Sequence, residues 1–137
     1  MRPAHPAYRA YLRRIALATA LYLVTIFTAV KLLHSHSVPA PLAVGIALLP
    51  GLAVLLMLTA IGRLLIELDD EYLRLLEVRK ALVATGLTLA ITSVWGLLEL
   101  LPWVPRLEVF WVFPLWCMGL AVGQLVNRAT LGDGGCA

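Results

Sequence analysis

The stretch ALVATGLTLAITSVWGLLELL, residues 81–101, contains no basic residue and a single acid, Glu99, near its end. At 1.5 Å per residue such a run makes a helix of about 30 Å, one hydrocarbon thickness of a bilayer. Projected at 100° per residue, Thr85, Thr88, Thr92, Gly96 and Glu99 fall within an arc of roughly 80°. The flanks of that arc are Leu, Val, Ala and Ile. Lipid offers no partner to hydroxyls or a carboxylate, so this face is predicted to point into protein.

Three further apolar runs, at about 15–33, 42–66 and 109–126, complete a set of four. The 137 residues are 61% hydrophobic, against ~45–50% in ordinary soluble domains. The mean hydropathy is +0.91. The excess lies in long runs, so the predicted class is all-α: a four-transmembrane-helix bundle filling one integral membrane domain over 1–137. Arg9, Arg13 and Arg14 precede the first run as in a signal peptide. That run is too long for one, and no small-x-small cleavage site follows, so it reads as an uncleaved first span. Thr19, Tyr22 and Thr25 give it a modest polar face. Pro50-Gly51 should loosen the second span in mid-membrane.

The net charge of +3 suits anionic headgroups better than nucleic acid, so no direct nucleic-acid binding is expected. Arg2, Arg9, Arg13, Arg14, Arg63, Arg74, Arg79, Lys80 and Arg128 fall on one side of the predicted spans; only Lys31 and Arg106 fall on the other. This bias predicts a multi-pass protein of the inner membrane, with both termini and residues 67–80 cytoplasmic. Trp103, Trp111 and Trp116 would form an outer aromatic belt. The tail over 127–137 is short, Gly-rich and predicted to be disordered.

Residues 67–80 are the only strongly charged stretch. Asp69 or Asp70 makes a credible N-cap, with Glu71 in the first turn, where the helix dipole favours an anion. No Gly or Pro follows until Gly86, and no Pro until Pro102. The third helix is therefore predicted to start in the cytoplasm and run into the membrane to about residue 101. Leu68, Tyr72, Leu75 and Leu76 lie on one face of its projecting turns, with Asp70, Glu71 and Arg74 on another. Leu68, Asp70, Glu71, Tyr72, Arg74 and Leu76 form the candidate partner-binding set. The plainer alternative is a solvated connection with ion pairs among Glu67, Glu71 and Arg74 at helical spacing.

Glu99 also has two readings. An acid inside a span marks a proton or ligand site by default; one near the span's end can instead reach headgroups or Arg106. The threonines can line a polar cavity or bond the carbonyl one turn back. Gly119 and Gly123 form a Gly-x-x-x-Gly suited to close helix packing, within the bundle or across a homodimer. His34 and His36 have no third ligand nearby, and no Cys-x-x-Cys exists. No metal or other cofactor is therefore expected. Cys117 reads as a small core residue and Cys136 lies outside any prenylation pattern. No nucleophile–base pair is visible, so the expectation is non-enzymatic.

Leu68-Asp69-Asp70-Glu71, Leu76-Glu77, Gly96 and Glu99 before Pro102, and Phe110-Trp111-Val112 with Pro114 resemble a group of small four-span bacterial inner-membrane proteins of undetermined role. Members of that group look as though they are often encoded beside helix-turn-helix regulators of the XRE type. The resemblance implies regulation of a cytosolic partner. Together these readings predict a membrane sensor or tether that engages a cytosolic protein through residues 67–80. The alternative is a small dimeric carrier that uses the stripe from Thr85 to Glu99.

Overall fold

Residues 6–35 and 38–132 are described by a computed structural model. They form four helices: α1 (Pro6–His34), α2 (Ala40–Glu67), α3 (Glu71–Leu98) and α4 (Val112–Leu131), the last entered through a 3-10 turn at Val109–Trp111. All four are long and apolar enough to cross a membrane. His5, His36 and Cys136 lie outside the described residues.

The helix ends follow local chemistry. Pro41 occupies the first turn of α2, where its missing N–H has no helical partner to lose. Lys31 and His34 sit in the last turn of α1, facing the negative end of its dipole. Asp70 caps α3: its side chain accepts a hydrogen bond from the Tyr72 backbone N–H at 2.9 Å. Gly132 closes α4 at φ +70°, a left-handed conformation that favours glycine, and donates to the Arg128 carbonyl at 3.1 Å.

Three expectations change. Residues 67–80 are not one segment: Glu67 ends α2, Leu68 and Asp70 are extended, and helix resumes at Glu71. The third helix stops at Leu98, where Glu99 is its C-cap. Bonds from Leu100 to Leu97 and from Leu101 to Leu98 then tighten the chain into the turn before Pro102. The tail expected to be disordered from 127 is helical through Leu131. Pro50, by contrast, lies within an uninterrupted α2.

The chain divides into two units, Met1–Leu68 and Asp69–Ala137. In the first, α1 packs antiparallel on α2. Beyond Ala7 and Tyr8 in the first turn of α1, the buried side chains step 18, 22, 25, 29 along α1 (Ala, Tyr, Thr, Ala) and 53, 57, 60, 64 along α2 (Ala, Met, Ala, Leu). Both follow the alternating four-and-three step that keeps one seam facing its partner. In the second unit α3 packs antiparallel on α4. Here Gly119, Gly123 and Asn127 step by four along α4, against a face of α3 that includes Leu76, Lys80 and Ala84.

Candidate functional site

The glycines set the closeness of the α3/α4 pair. A Cβ added at Gly119 would stand 2.8 Å from the Ala84 Cα, and one at Gly123 only 2.6 Å from the Lys80 carbonyl oxygen. Both obstacles are backbone, so nothing there can turn aside. The Gly-x-x-x-Gly face is thus packed inside the chain, against α3. One turn further on, the fully buried Asn127 donates through Nδ2 to the Leu76 carbonyl at 2.9 Å. Its Oδ1 has no partner among the described residues. Beside this point Glu77, 3% exposed, pairs with Lys80 one turn along α3. A buried acid is tolerated where a cation neutralises it.

This packing sorts the candidate partner-binding set. Leu68 and Leu76 are fully buried and present no surface. Asp70 is committed to capping, although it remains exposed, as do Glu71 and Arg74. Tyr72 and Leu75 are 43% and 58% exposed. The first turns of α3 therefore have one face locked on α4 and another presenting Tyr72 and Leu75 with charged neighbours. Glu67 takes no part in a ladder with Glu71 and Arg74. Both of its carboxylate oxygens accept from Arg14 Nη1, at 2.8 and 2.9 Å, tying the end of α2 to α1.

The stripe beginning at Thr85 does not form one polar surface. Thr88 is buried and donates to the Ala84 carbonyl at 2.8 Å; Thr92 donates to the Thr88 carbonyl at 2.8 Å. Each hydroxyl is satisfied by its own helix one turn back. Thr85 is exposed and accepts from the Trp116 indole N–H at 3.1 Å. A Cβ at Gly96 would meet nothing within 4 Å. Glu99 is not inside the helix: its carboxylate accepts from the Leu107 backbone N–H at 2.6 Å. It thereby clamps the turn between α3 and the 3-10 entry to α4.

Glu77, Lys80 and Asn127 were not singled out from sequence as packing residues, yet they were legible there. Asn127 continues the four-residue step of Gly119 and Gly123, and Glu77 stands three residues before Lys80, a spacing that shares a helix face. Among the described residues no three His, Cys, Asp or Glu side chains gather as a metal site would require. Each unit has open space along its helices. A cleft of about 350 Å³ lies between α1 and α2, with Arg14 and Arg63 in its wall. A groove of about 370 Å³ lies in the second unit beside Trp95, Leu107 and Trp111. No family model, curated protein or solved structure matches this chain, so its function is argued from its own geometry.

Proposed function

We propose that this chain is a non-enzymatic, multi-pass protein of a bacterial inner membrane that engages a cytosolic protein through the first turns of α3. The carrying observation is the two-sided character of those turns: Leu76 and Glu77 are buried, while Tyr72 and Leu75 are exposed between Glu71 and Arg74. An apolar pair rimmed by charge is the usual anatomy of a docking surface, and an aromatic residue is a favoured anchor. The basic bias puts this end of α3 on the cytoplasmic side. Residues 81–98 carry no charge and at about 27 Å suffice for the hydrocarbon core. The ten residues from Glu71 to Lys80 then project beyond it.

The carrier reading is the less supported of the two. Two threonine hydroxyls donate within their own helix, the third accepts from Trp116, and the carboxylate accepts from a backbone amide, which gives little support to a shared polar path.

The test is cross-linking in native membranes followed by quantitative mass spectrometry of what co-purifies. Tyr72→Ala with Leu75→Ala should release a specific cytosolic protein, with a binding loss of at least ~2 kcal/mol. The paired helices should stay intact, because neither side chain lies in the α3/α4 seam. A cross-linked set identical for wild type and variant would rule the proposal out.

A further inference from the structure

The ion pair at the open end of the α1/α2 hairpin leaves one cation over. Glu67 accepts from Arg14 through both carboxylate oxygens, while Arg63, one turn earlier on α2, pairs with no acid among the described residues. Both guanidinium side chains border the same cleft of about 350 Å³. Two arginines against one carboxylate leave it one positive charge.

Below the arginines the cleft becomes apolar. Leu17 and Leu21 follow Arg14 along α1, one and two turns deeper; Leu56 and Ala60 precede Arg63 on α2. Leu17, Leu21 and Leu56 are 73%, 43% and 50% exposed, so these walls are open. The one hydroxyl there, on Thr59, is already given to the Leu56 carbonyl at 2.8 Å. A free guanidinium at the mouth with aliphatic side chains leading away from it matches an anionic head on an apolar chain. Arginine suits the phosphate because its planar fork can bond two oxygens together. A soluble phosphate would use the mouth and gain nothing from the leucine walls.

We infer that the cleft between α1 and α2 binds one anionic glycerophospholipid, its phosphate on Arg63 and Arg14 and an acyl chain along Leu17, Leu21 and Leu56. The inference rests on the membrane placement proposed above, which sets this end of the hairpin at the cytoplasmic headgroup level. It does not depend on a protein partner.

The experiment is native mass spectrometry of the full chain released from nanodiscs of phosphatidylglycerol mixed equally with phosphatidylcholine. Recovery from the nanodisc fraction reports membrane insertion separately, so a failure of placement is distinguishable from a failure of the site. Wild type should retain one phosphatidylglycerol in preference to phosphatidylcholine. Arg63→Gln should reduce that preference about tenfold, the scale of one charge-assisted hydrogen bond, and Arg63→Lys should restore part of it. Glu67→Gln frees Arg14 and should raise the preference. Arg128→Gln, which removes the same charge from α4, should leave it unchanged. Glycerol 3-phosphate at matched concentration should not displace the lipid. Equal retention of the two lipids, equal effects of Arg63→Gln and Arg128→Gln in inserted protein, or displacement by glycerol 3-phosphate would each overturn the inference. The last outcome would assign the arginines to a soluble phosphate instead.

Discussion

In the α1/α2 hairpin the helices meet through side chains, with Ala18, Tyr22, Thr25 and Ala29 on one and Ala53, Met57, Ala60 and Leu64 on the other. In the α3/α4 hairpin they meet at the backbone, where Gly119 and Gly123 press on Ala84 and Lys80. At Tyr22, Met57 and Leu64 the first contact can adjust by changing rotamers; a backbone-to-backbone approach has no rotamers to change. Polar groups follow the same division. The first hairpin keeps its ion pair, Arg14 with Glu67, about one third exposed at its open end. The second buries Glu77 with Lys80 and seals Asn127 beside them. Between lipid-soluble helices there is little hydrophobic drive to associate, so close packing and buried hydrogen bonds carry the contact. The hairpin with glycines and a buried amide is therefore expected to be the firmer platform. The one with adjustable side chains is the one that leaves a charged cleft.

The contrast is broken most directly at Gly123. Gly123→Leu must displace the Lys80 carbonyl and Cα, which an added Cβ alone would meet at 2.6 and 2.9 Å. The expected cost is at least about 3 kcal/mol, the upper end for overpacking, read by detergent unfolding in mixed micelles followed through helical circular dichroism, which reports both hairpins. Gly45→Leu is the control for the same substitution at an exposed helix position, since its Cβ would meet nothing within 4 Å. It should shift the curve by less than about 0.5 kcal/mol. Equal shifts would mean that the close approach of Gly123 to Lys80 does not hold the second hairpin together.

Asn127 tests whether the buried amide adds to what the glycines set. Asn127→Ala removes the bond to the Leu76 carbonyl, at an expected cost of about 1 kcal/mol for a hydrogen bond between membrane helices. Asn127→Asp should cost more, because a carboxylate would bring a second acceptor to that carbonyl and leave a buried charge without a donor. An unfolding curve for Asn127→Ala that overlays wild type would assign the joining to the glycines alone.

The apolar runs made four helices legible, and the Asp-Asp-Glu sequence located the cap of α3 to within one residue. Helix ends were harder to place. Hydropathy gives the part that suits lipid, whereas α1 begins at Pro6 and α4 continues to Leu131 in polar sequence that gives no apolar signal. Glu99 falls at the end of the helix, in line with one of its two readings, but its partner was not legible, because an angular plot cannot see a carboxylate turning back to the Leu107 amide. The Gly-x-x-x-Gly was visible but its partner was not. Spacing identifies a close-packing face, and only the fold says that α3 fills it. The cleft between α1 and α2 had no sequence signal, since it depends on which arginine Glu67 takes.

The smallest effect belongs to the Arg14–Glu67 pair, and its smallness is informative. Its side chains are 34% and 35% exposed, so solvent screens the attraction and ordering two long side chains offsets part of it. A double-mutant cycle with Arg14→Gln and Glu67→Gln should give a coupling of about 0.2–1 kcal/mol. The coupling should shrink as salt rises from 0.01 M toward 1 M, as the Debye length falls from about 30 to 3 Å. A coupling well above 1 kcal/mol that ignores salt would mean the pair is shielded from solvent in the membrane. The first hairpin would then be locked at its open end as the second is locked along its length. A small, salt-sensitive coupling leaves Arg14 able to exchange Glu67 for another anion, as a phosphate headgroup in the cleft requires.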